Sequence, residues 1–268
     1  IKRVYIMTSG GFLFNNIIFG PVNSRRFGIS LGINLLPRNN KLCNYNCIYC
    51  ECGLTPEDSI IAEKRLPDKD EVKRDLEVSL IGMLNNNLPI DSITFAGNGE
   101  PTLHPQFLDI VDEVIELRNK YYPSTKVSVL TNATTAGNPN IMSALMKVDQ
   151  NVMKLDVGTE EMYTLINRCR WDIKLSDIVS YLIRFNGKLI VQSLFLRGEV
   201  NGKIIDNTLS SEIEKWLIHL DKIRPAKVMI YSIARATPLA GIRQVPLQEL
   251  QLIAEKVDNI GIKAEVYI

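Results

Sequence analysis

A chain of 268 residues with 46% hydrophobic and 23% charged residues has the composition of a globular protein with room for a sizeable core. Its formal net charge of +1 excludes a chain-wide basic field of the kind that holds nucleic acid, leaving only a local patch open. No apolar run approaches the roughly 18 residues of a membrane span, and the opening "IKRVYIMTSGGFLFNNIIFG" is broken by Gly10, Gly11, Asn15 and Asn16, which makes a poor signal peptide.

The predicted elements alternate along the chain. "GISLGINLLP" (28–37) reads as a strand that stops at a proline. Asp68 and Glu71 have capping-box spacing ahead of Val72, Leu76 and Leu80, which predicts a helix. "SITFAG" (92–97) is the second strand, and "HPQFLDIVDEVIEL" sets Phe107, Ile110, Val111, Val114 and Leu117 on one helical face. "KVSVLTN" (126–132) precedes a helix opened by Asn138 and Pro139. "NVMKLDV" (151–157) and "KLIVQSLFL" (188–196) are the fourth and fifth strands, and Ser211 with Glu214 is expected to head a helix carrying Ile213, Trp216, Leu217 and Leu220 inward. "KVMIYSI" (227–233) is the sixth strand, "VPLQELQLIAEKVDNIG" a helix stopping at Gly261, and "KAEVYI" a possible seventh strand.

Strand–helix alternation implies right-handed βαβ units and a parallel sheet, either open and doubly wound or closed into an incomplete barrel. Strands apolar nearly throughout predict burial on both faces. In both architectures chemistry gathers at the carboxyl ends of strands. The unusual polar residues obey this rule: cysteines follow the first strand, "GNGEP" the second and "TNAT" the third, Asp156 ends the fourth and Arg197 the fifth.

The densest feature is "KLCNYNCIYCECG" (41–53), which holds Cys43, Cys47, Cys50 and Cys52, four of the five cysteines. A cytoplasmic location is expected, and there a disulfide-stapled loop is disfavoured and clustered thiols serve metal or redox chemistry. C-x3-C-x2-C suits a cubane iron–sulfur cluster, with three irons bound by thiolates and a fourth open. Zinc is the alternative, with Cys52 as a fourth ligand at roughly 2.3 Å.

The spacing, with Tyr49 before the third cysteine, resembles the radical S-adenosylmethionine (SAM) superfamily. The string "GPVNSRRFGISLGINLLPRNNKLCNYNCIYCECG" is more narrowly similar to Fe–S oxidoreductases akin to the wyosine tRNA-synthesis radical enzyme. "ITFAGNGEPTLHP", "LTNAT", "KLDVGTEEMYTLINR", "LFLRGEVNGKIIDNT" and "VMIYSIARATP" extend that resemblance over nearly the whole chain.

The resemblance implies a partial parallel (β/α)6 barrel over residues 20–268, with 1–19 as an extension or cover strand. It implies a radical SAM Fe–S oxidoreductase or lyase whose catalytic residues and metal ligands are Cys43, Cys47 and Cys50. Reductive cleavage of SAM at a [4Fe–4S] cluster would give a 5′-deoxyadenosyl radical that abstracts hydrogen from an unidentified small molecule, peptide or tRNA. Asn98, Gly99 and Glu100 match the loop that binds the methionine ammonium, with Asn98 where the wider superfamily prefers glycine. Their alternative role is a plain strand-to-helix turn.

Lys154 and Asp156 sit one period of two apart on the fourth strand and correspond to contacts with ribose and carboxylate, or else pair with each other. Asn132 is a further cofactor contact or an Asn turn, and Tyr49 flanks the adenine. Arg25, Arg26 and Arg197 are candidate grips on an anionic group. No standard role attaches to Cys52, and Cys169 is read as without function. No second cluster can be built from the spare cysteines, so a wyosine-type tRNA enzyme is an alternative, as is a non-enzymatic iron–sulfur or zinc redox-sensing module. An external electron donor such as flavodoxin or ferredoxin is expected.

Overall fold

The computed structural model describes residues 5–8, 11–56 and 65–268, so the 1–19 extension falls partly outside the described residues. Strands β1 (Tyr5–Thr8) and β2 (Gly11–Phe14) pair as an antiparallel hairpin. The hairpin of β3 (Ile18–Ser24) and β4 (Gly28–Ile33) starts the main sheet. Then follow α1 (Lys69–Asn85), β5 (Ser92–Phe95), α2 (Phe107–Tyr121), β6 (Lys126–Thr131), α3 (Pro139–Lys147) and β7 (Gln150–Lys154). Helices α4 (Glu160–Ile166) and α5 (Leu175–Ile183) lead to β8 (Ile190–Val200), β9 (Lys203–Asp206), α6 (Ser210–Ile223) and β10 (Lys227–Ser232). Strand β11 (Ile242–Gln244), α7 (Leu247–Asn259) and β12 (Ala264–Tyr267) close the chain.

The main sheet runs β12-β10-β8-β7-β6-β5-β4-β3, parallel from β12 to β4, with β3 antiparallel at the far edge. This is the partial parallel barrel expected from the resemblance, with "KAEVYI" added at one edge. Local chemistry accounts for the helix starts. Asp68 accepts from Glu71 N at 2.8 Å while the Glu71 carboxylate accepts from Asp68 N at 3.1 Å, a complete capping box. Asn138 caps α3 by accepting from Asn140 N at 2.9 Å, with Pro139 in the first turn. The expected Ser211–Glu214 start is corrected: α6 begins at Ser210 behind Leu209, without a side-chain cap, and the Glu212 carboxylate instead accepts from Gly158 N and Thr159 N.

The strand faces differ more than a doubly apolar pattern predicts. Residues facing the helices are apolar and buried: Leu31, Ile33, Ile93, Phe95, Val127, Val129, Met153, Val191, Phe195, Val228 and Ile230 belong to one large core. The alternate residues line the inside of the barrel, and many are polar. Ser30 Oγ and Thr94 Oγ1 share a hydrogen bond at 2.8 Å, Ser92 bonds to Thr94 at 3.0 Å and to Ser128 at 2.8 Å, and Ser128 Oγ donates to Gln150 at 2.9 Å. A separate small cluster of Phe27, Val152, Ile190 and Met229 fills the amino-terminal end of this interior. Period-two alternation thus separates an oily outer face from a largely hydroxyl-lined lumen.

Strand β12 is fastened by charge as well as by its ladder. Glu265 receives Lys227 Nζ at 2.6 Å and Lys263 Nζ at 2.6 Å, together with the Tyr267 hydroxyl, and these hold its carboxyl down at about 2. A depressed carboxylate pKa gives stability that is present above the unfolded value, about 4.3, and lost as pH falls through the folded one. Replacement E265Q should therefore lower stability at neutral pH, and the gap to wild type should close between about pH 4 and 2; chemical denaturation at stepped pH measures it.

Candidate functional site

The cysteine loop leaves the end of β4 and is held by backbone on both flanks. On one side Leu42 forms a parallel bridge with Gly99: Leu42 N donates to Asn98 O at 2.9 Å and Glu100 N donates to Leu42 O at 3.0 Å. Gly99 has φ +140°, and a Cβ there would lie 1.8 Å from the Leu42 carbonyl oxygen, so only glycine allows this approach. On the other side Asn46 N donates to Asn167 O at 3.0 Å and Ile48 N to Ile166 O at 3.0 Å, past the carboxyl end of α4. The β1–β2 hairpin covers the loop's exit through Phe12 N donating to Glu51 O at 2.9 Å.

Within this frame two of the thiols meet an amide donor and the third lies in the field of a buried cation. Asn132 Nδ2 lies 3.7 Å from Cys43 Sγ, Asn167 Nδ2 lies 3.7 Å from Cys47 Sγ, and the Lys41 ammonium interacts electrostatically with Cys50. Lys41 is only 3% exposed, and its Nζ also donates to Gly53 O at 2.8 Å. It has no carboxylate partner among the described residues. Burial alone would lower its pKa, but the thiols of Cys50, Cys43 and Cys47 outweigh that and raise it. Burial pushes the Cys43 thiol up to about 12 and the Cys47 thiol to about 11. Cys52 Sγ donates to Gly97 O at 3.3 Å, and its interaction with Cys50 lowers the Cys50 pKa and raises that of Cys52.

The residues expected around the cofactor converge here. Glu100, buried, accepts four bonds: from Thr102 N at 3.2 Å, Thr102 Oγ1 at 2.6 Å, Thr131 Oγ1 at 2.7 Å and Asn132 N at 2.6 Å. Its carboxylate thereby ties the loop after β5 to the end of β6, and its pKa is raised because burial outweighs these bonds. The Asn98 side chain clasps the N-terminal hairpin, accepting from Phe14 N and donating to Phe14 O, both at 2.8 Å, and donating to Pro37 O at 2.8 Å.

Asp156 is buried and accepts from the Tyr49 hydroxyl, from Asn167 Nδ2 at 2.8 Å and from Leu194 N at 2.9 Å. Lys154 Nζ lies 3.7 Å from Asp156 and 5.2 Å from the Tyr49 ring centroid. Burial would lower the Lys154 pKa, and Asp156 ahead of Tyr231 and Cys47 raises it instead. The Lys154–Asp156 pair foreseen as a structural alternative thus exists, at the rim of the lumen beside Cys47. Arg197 is tied outward: it pairs with Glu249 at 2.5 Å, lies 3.7 Å from Asp206 and donates to Thr208 at 2.6 Å.

Three contributors escaped the sequence reading. Lys41 was hidden as an ordinary surface-type residue next to the cysteines. Asn44 accepts from Asn132 Nδ2 at 2.7 Å and donates to Thr134 at 2.6 Å. Asn167 closes α4, an element of seven residues too short for periodicity to reveal.

Comparison with known proteins places this arrangement. The family model described as the radical SAM superfamily matches residues 41–184, just over half of the chain. A UPF0026 protein of Helicobacter pylori strain J99 is 33% identical over 82% of this chain and 67% of its own length. Other curated relatives are matched over 30%, 57% and 54% of their length, so the chain spans about half of most of them. Among solved structures, a radical SAM methyltransferase from Sphaerobacter thermophilus has a TM-score of 0.64 at 11% identity, over 88% of this chain and 65% of that one. Archaeal TYW1 has a TM-score of 0.54 at 13% identity, over 95% and 85%. The chain belongs to the radical SAM superfamily, whose cofactors are SAM and a [4Fe–4S] cluster, and no described helix is long and apolar enough to cross a membrane.

The Glu100 network can be tested directly. E100Q places an NH2 group among four donors, and Asn132 N–H cannot rotate away, so at least one buried group loses its partner. The expected loss is about 1–3 kcal/mol of unfolding free energy, read from the urea midpoint.

Proposed function

We propose that Cys43, Cys47 and Cys50 hold a [4Fe–4S] cluster and that the chain is a radical SAM enzyme, cleaving SAM reductively and abstracting hydrogen from its substrate. The observation that carries this is the donor set: three clustered thiols, two of them met by amide N–H groups from different parts of the fold and all three acting on the buried Lys41 cation. Hydrogen bonds to sulfur and nearby positive charge suit thiolates that share a polynuclear cluster. A single zinc ion needs four ligands converging at one point, and among the described residues no three His, Cys, Asp or Glu side chains come together to hold one metal ion. When bound, such a cluster supplies a single electron to the sulfonium of SAM; an external donor of the flavodoxin or ferredoxin class delivers it.

The chain's own residues then bind and orient. Because Glu100 already accepts four bonds, the methionine ammonium is met in part by the Gly99 carbonyl, which takes no part in the bridge to Leu42. Tyr49, fixed by Asp156, offers its backbone and ring edge to the adenine, and Lys154 offers a cation to the carboxylate. Asn132 keeps its amide on Cys43 and Asn44, and so acts on the cofactor through the cluster's ligands. Asn98 acts by fixing the loop and its cover. Arg197 reaches an anion only if Glu249 releases it, so its part is to hold β8 in place.

Anaerobic reconstitution with iron and sulfide, followed by reduction and chromatography for 5′-deoxyadenosine, tests this reading. Nucleoside release is expected from wild type, and C43A, C47A and C50A should each fall to background. A cluster that forms without nucleoside at excess reductant points to a redox-sensing module; stoichiometric zinc in colourless protein points to a structural one.

Lys41 yields a second expectation. A buried cation beside the thiolates stabilises the extra negative charge of the reduced cluster, so K41M should lower its potential. At the wild-type midpoint the reduced-to-oxidised ratio should drop about tenfold, equivalent to about 59 mV for one electron. K41R should restore part of the shift in an EPR-monitored redox titration.

A further inference from the structure

The turn of the β3–β4 hairpin folds into the barrel from its amino-terminal end. Phe27 plugs that end among Val152, Ile190 and Met229. Arg26, its neighbour, reaches into the lumen above the plug. Its Nη1 donates to the buried Gln192 Oε1 at 2.5 Å, and its guanidinium lies 4.8 Å from the Tyr231 ring centroid and 5.4 Å from that of Phe27. It is half-buried and has no ion-pair partner among the described residues. The next charge up the lumen is another cation, Lys154, whose ammonium Arg26 opposes electrostatically. Asp156 lies 3.7 Å from Lys154 and its oxygens are already taken by Tyr49, Asn167 and Leu194 N.

With Asp156 paired to Lys154, Arg26 has no counter-charge among the described residues, and an unpaired cation is costly to shelter from water. A guanidinium carries five N–H donors, and here one is spent on Gln192. Stacking on Tyr231 fixes the plane of the remaining ones. Arg26 is therefore a preset oxyanion receptor inside the lumen, at the level of Gln192 and Tyr231.

We propose that Arg26, held inside the lumen by Gln192 and Tyr231, binds the oxyanion group of a small-molecule substrate, a carboxylate or a phosphate, so that the substrate stands with its anionic end at Arg26 and its reacting end toward the cysteine loop. This rests on the radical SAM reading of the site above it. Tyr231 and Tyr267, both half-buried on β10 and β12, provide a flat wall for the body of such a molecule.

The test uses the full chain, reconstituted and anaerobic, with two probes: inorganic phosphate for a phosphate ester and acetate for a carboxylic acid. Titration calorimetry at low ionic strength should show one of them binding wild type at one site per chain. R26M should weaken that binding at least tenfold, and R26K should fall between. If R26M does not fold, R26Q takes its place in the same comparison. The inference is overturned if neither probe binds wild type, if R26M binds as wild type does, or if R26M weakens SAM binding as much as probe binding, which would assign Arg26 to the cofactor carboxylate. Wild-type 5′-deoxyadenosine release on the same preparation separates the two levels: release without probe binding sinks the anion site alone, whereas no release sinks the reading beneath it.

Discussion

A loop that presents three thiols in a fixed array must itself be held at its backbone, and on the flank that enters the cysteines one close approach does this. The carbonyl of Leu42 and the α-carbon of Gly99 come so near that no side chain fits between them. Two hydrogen bonds on either side of Leu42 turn that contact into a short parallel ladder. The loop after β5 is anchored in turn by the Glu100 carboxylate, which spans to Thr131 and Asn132 at the end of β6. The array of thiols is therefore referenced to three successive parallel strands. Flexing one of them moves the sulfurs relative to the loop that faces them.

The same strands create the contrast between the inside and outside of the barrel. Alternation sends Phe95, Val129 and Phe195 to the helices and Thr94, Ser128 and Gln192 to the lumen. A hydroxyl ladder satisfies the polar atoms of adjacent strands pairwise, so the interior needs no apolar filling at that level. Buried polar groups that are fully paired cost little and rigidify their surroundings. The apolar plug of Phe27, Val152, Ile190 and Met229 does the sealing instead, at the end remote from the cysteines.

Much of this was legible in the sequence because it is local. The six main strands, the Asp68–Glu71 capping box, the Asn138–Pro139 start and the Gly261 stop are carried by period and by cap chemistry within a few residues. The cysteines and the Gly99–Glu100 loop were legible from spacing. What escaped is long-range or short. Lys41 meets Cys50 only after the loop turns back through Gly53, and Asn167 meets Asp156 and Cys47 only after α4 docks. Ser211 looked like a cap, but the nearby Glu212 carboxylate is drawn to Gly158 and Thr159 and helps fix where α6 begins. The lumen's polarity was overlooked because serine, threonine and glutamine interspersed in β-branched runs resemble a doubly buried strand.

Charge gives the last connection between these parts. Lys41 is buried and Lys154 and Arg26 are half-buried, and of the three only Lys154 has a carboxylate, Asp156, within ion-pair distance among the described residues. Glu100, also buried, is consumed by neutral donors and balances none of them. A sheltered cation without a carboxylate partner is stabilised by an anion that arrives from outside the chain, since binding to the folded state alone shifts the folding equilibrium in its favour. On the proposed reading, metal-bound thiolates would supply negative charge beside Lys41, a cofactor carboxylate near Lys154, and a substrate oxyanion at Arg26. The proposed ligands would thus each answer one cation, at the cysteine loop, at the strand end beside it and inside the lumen.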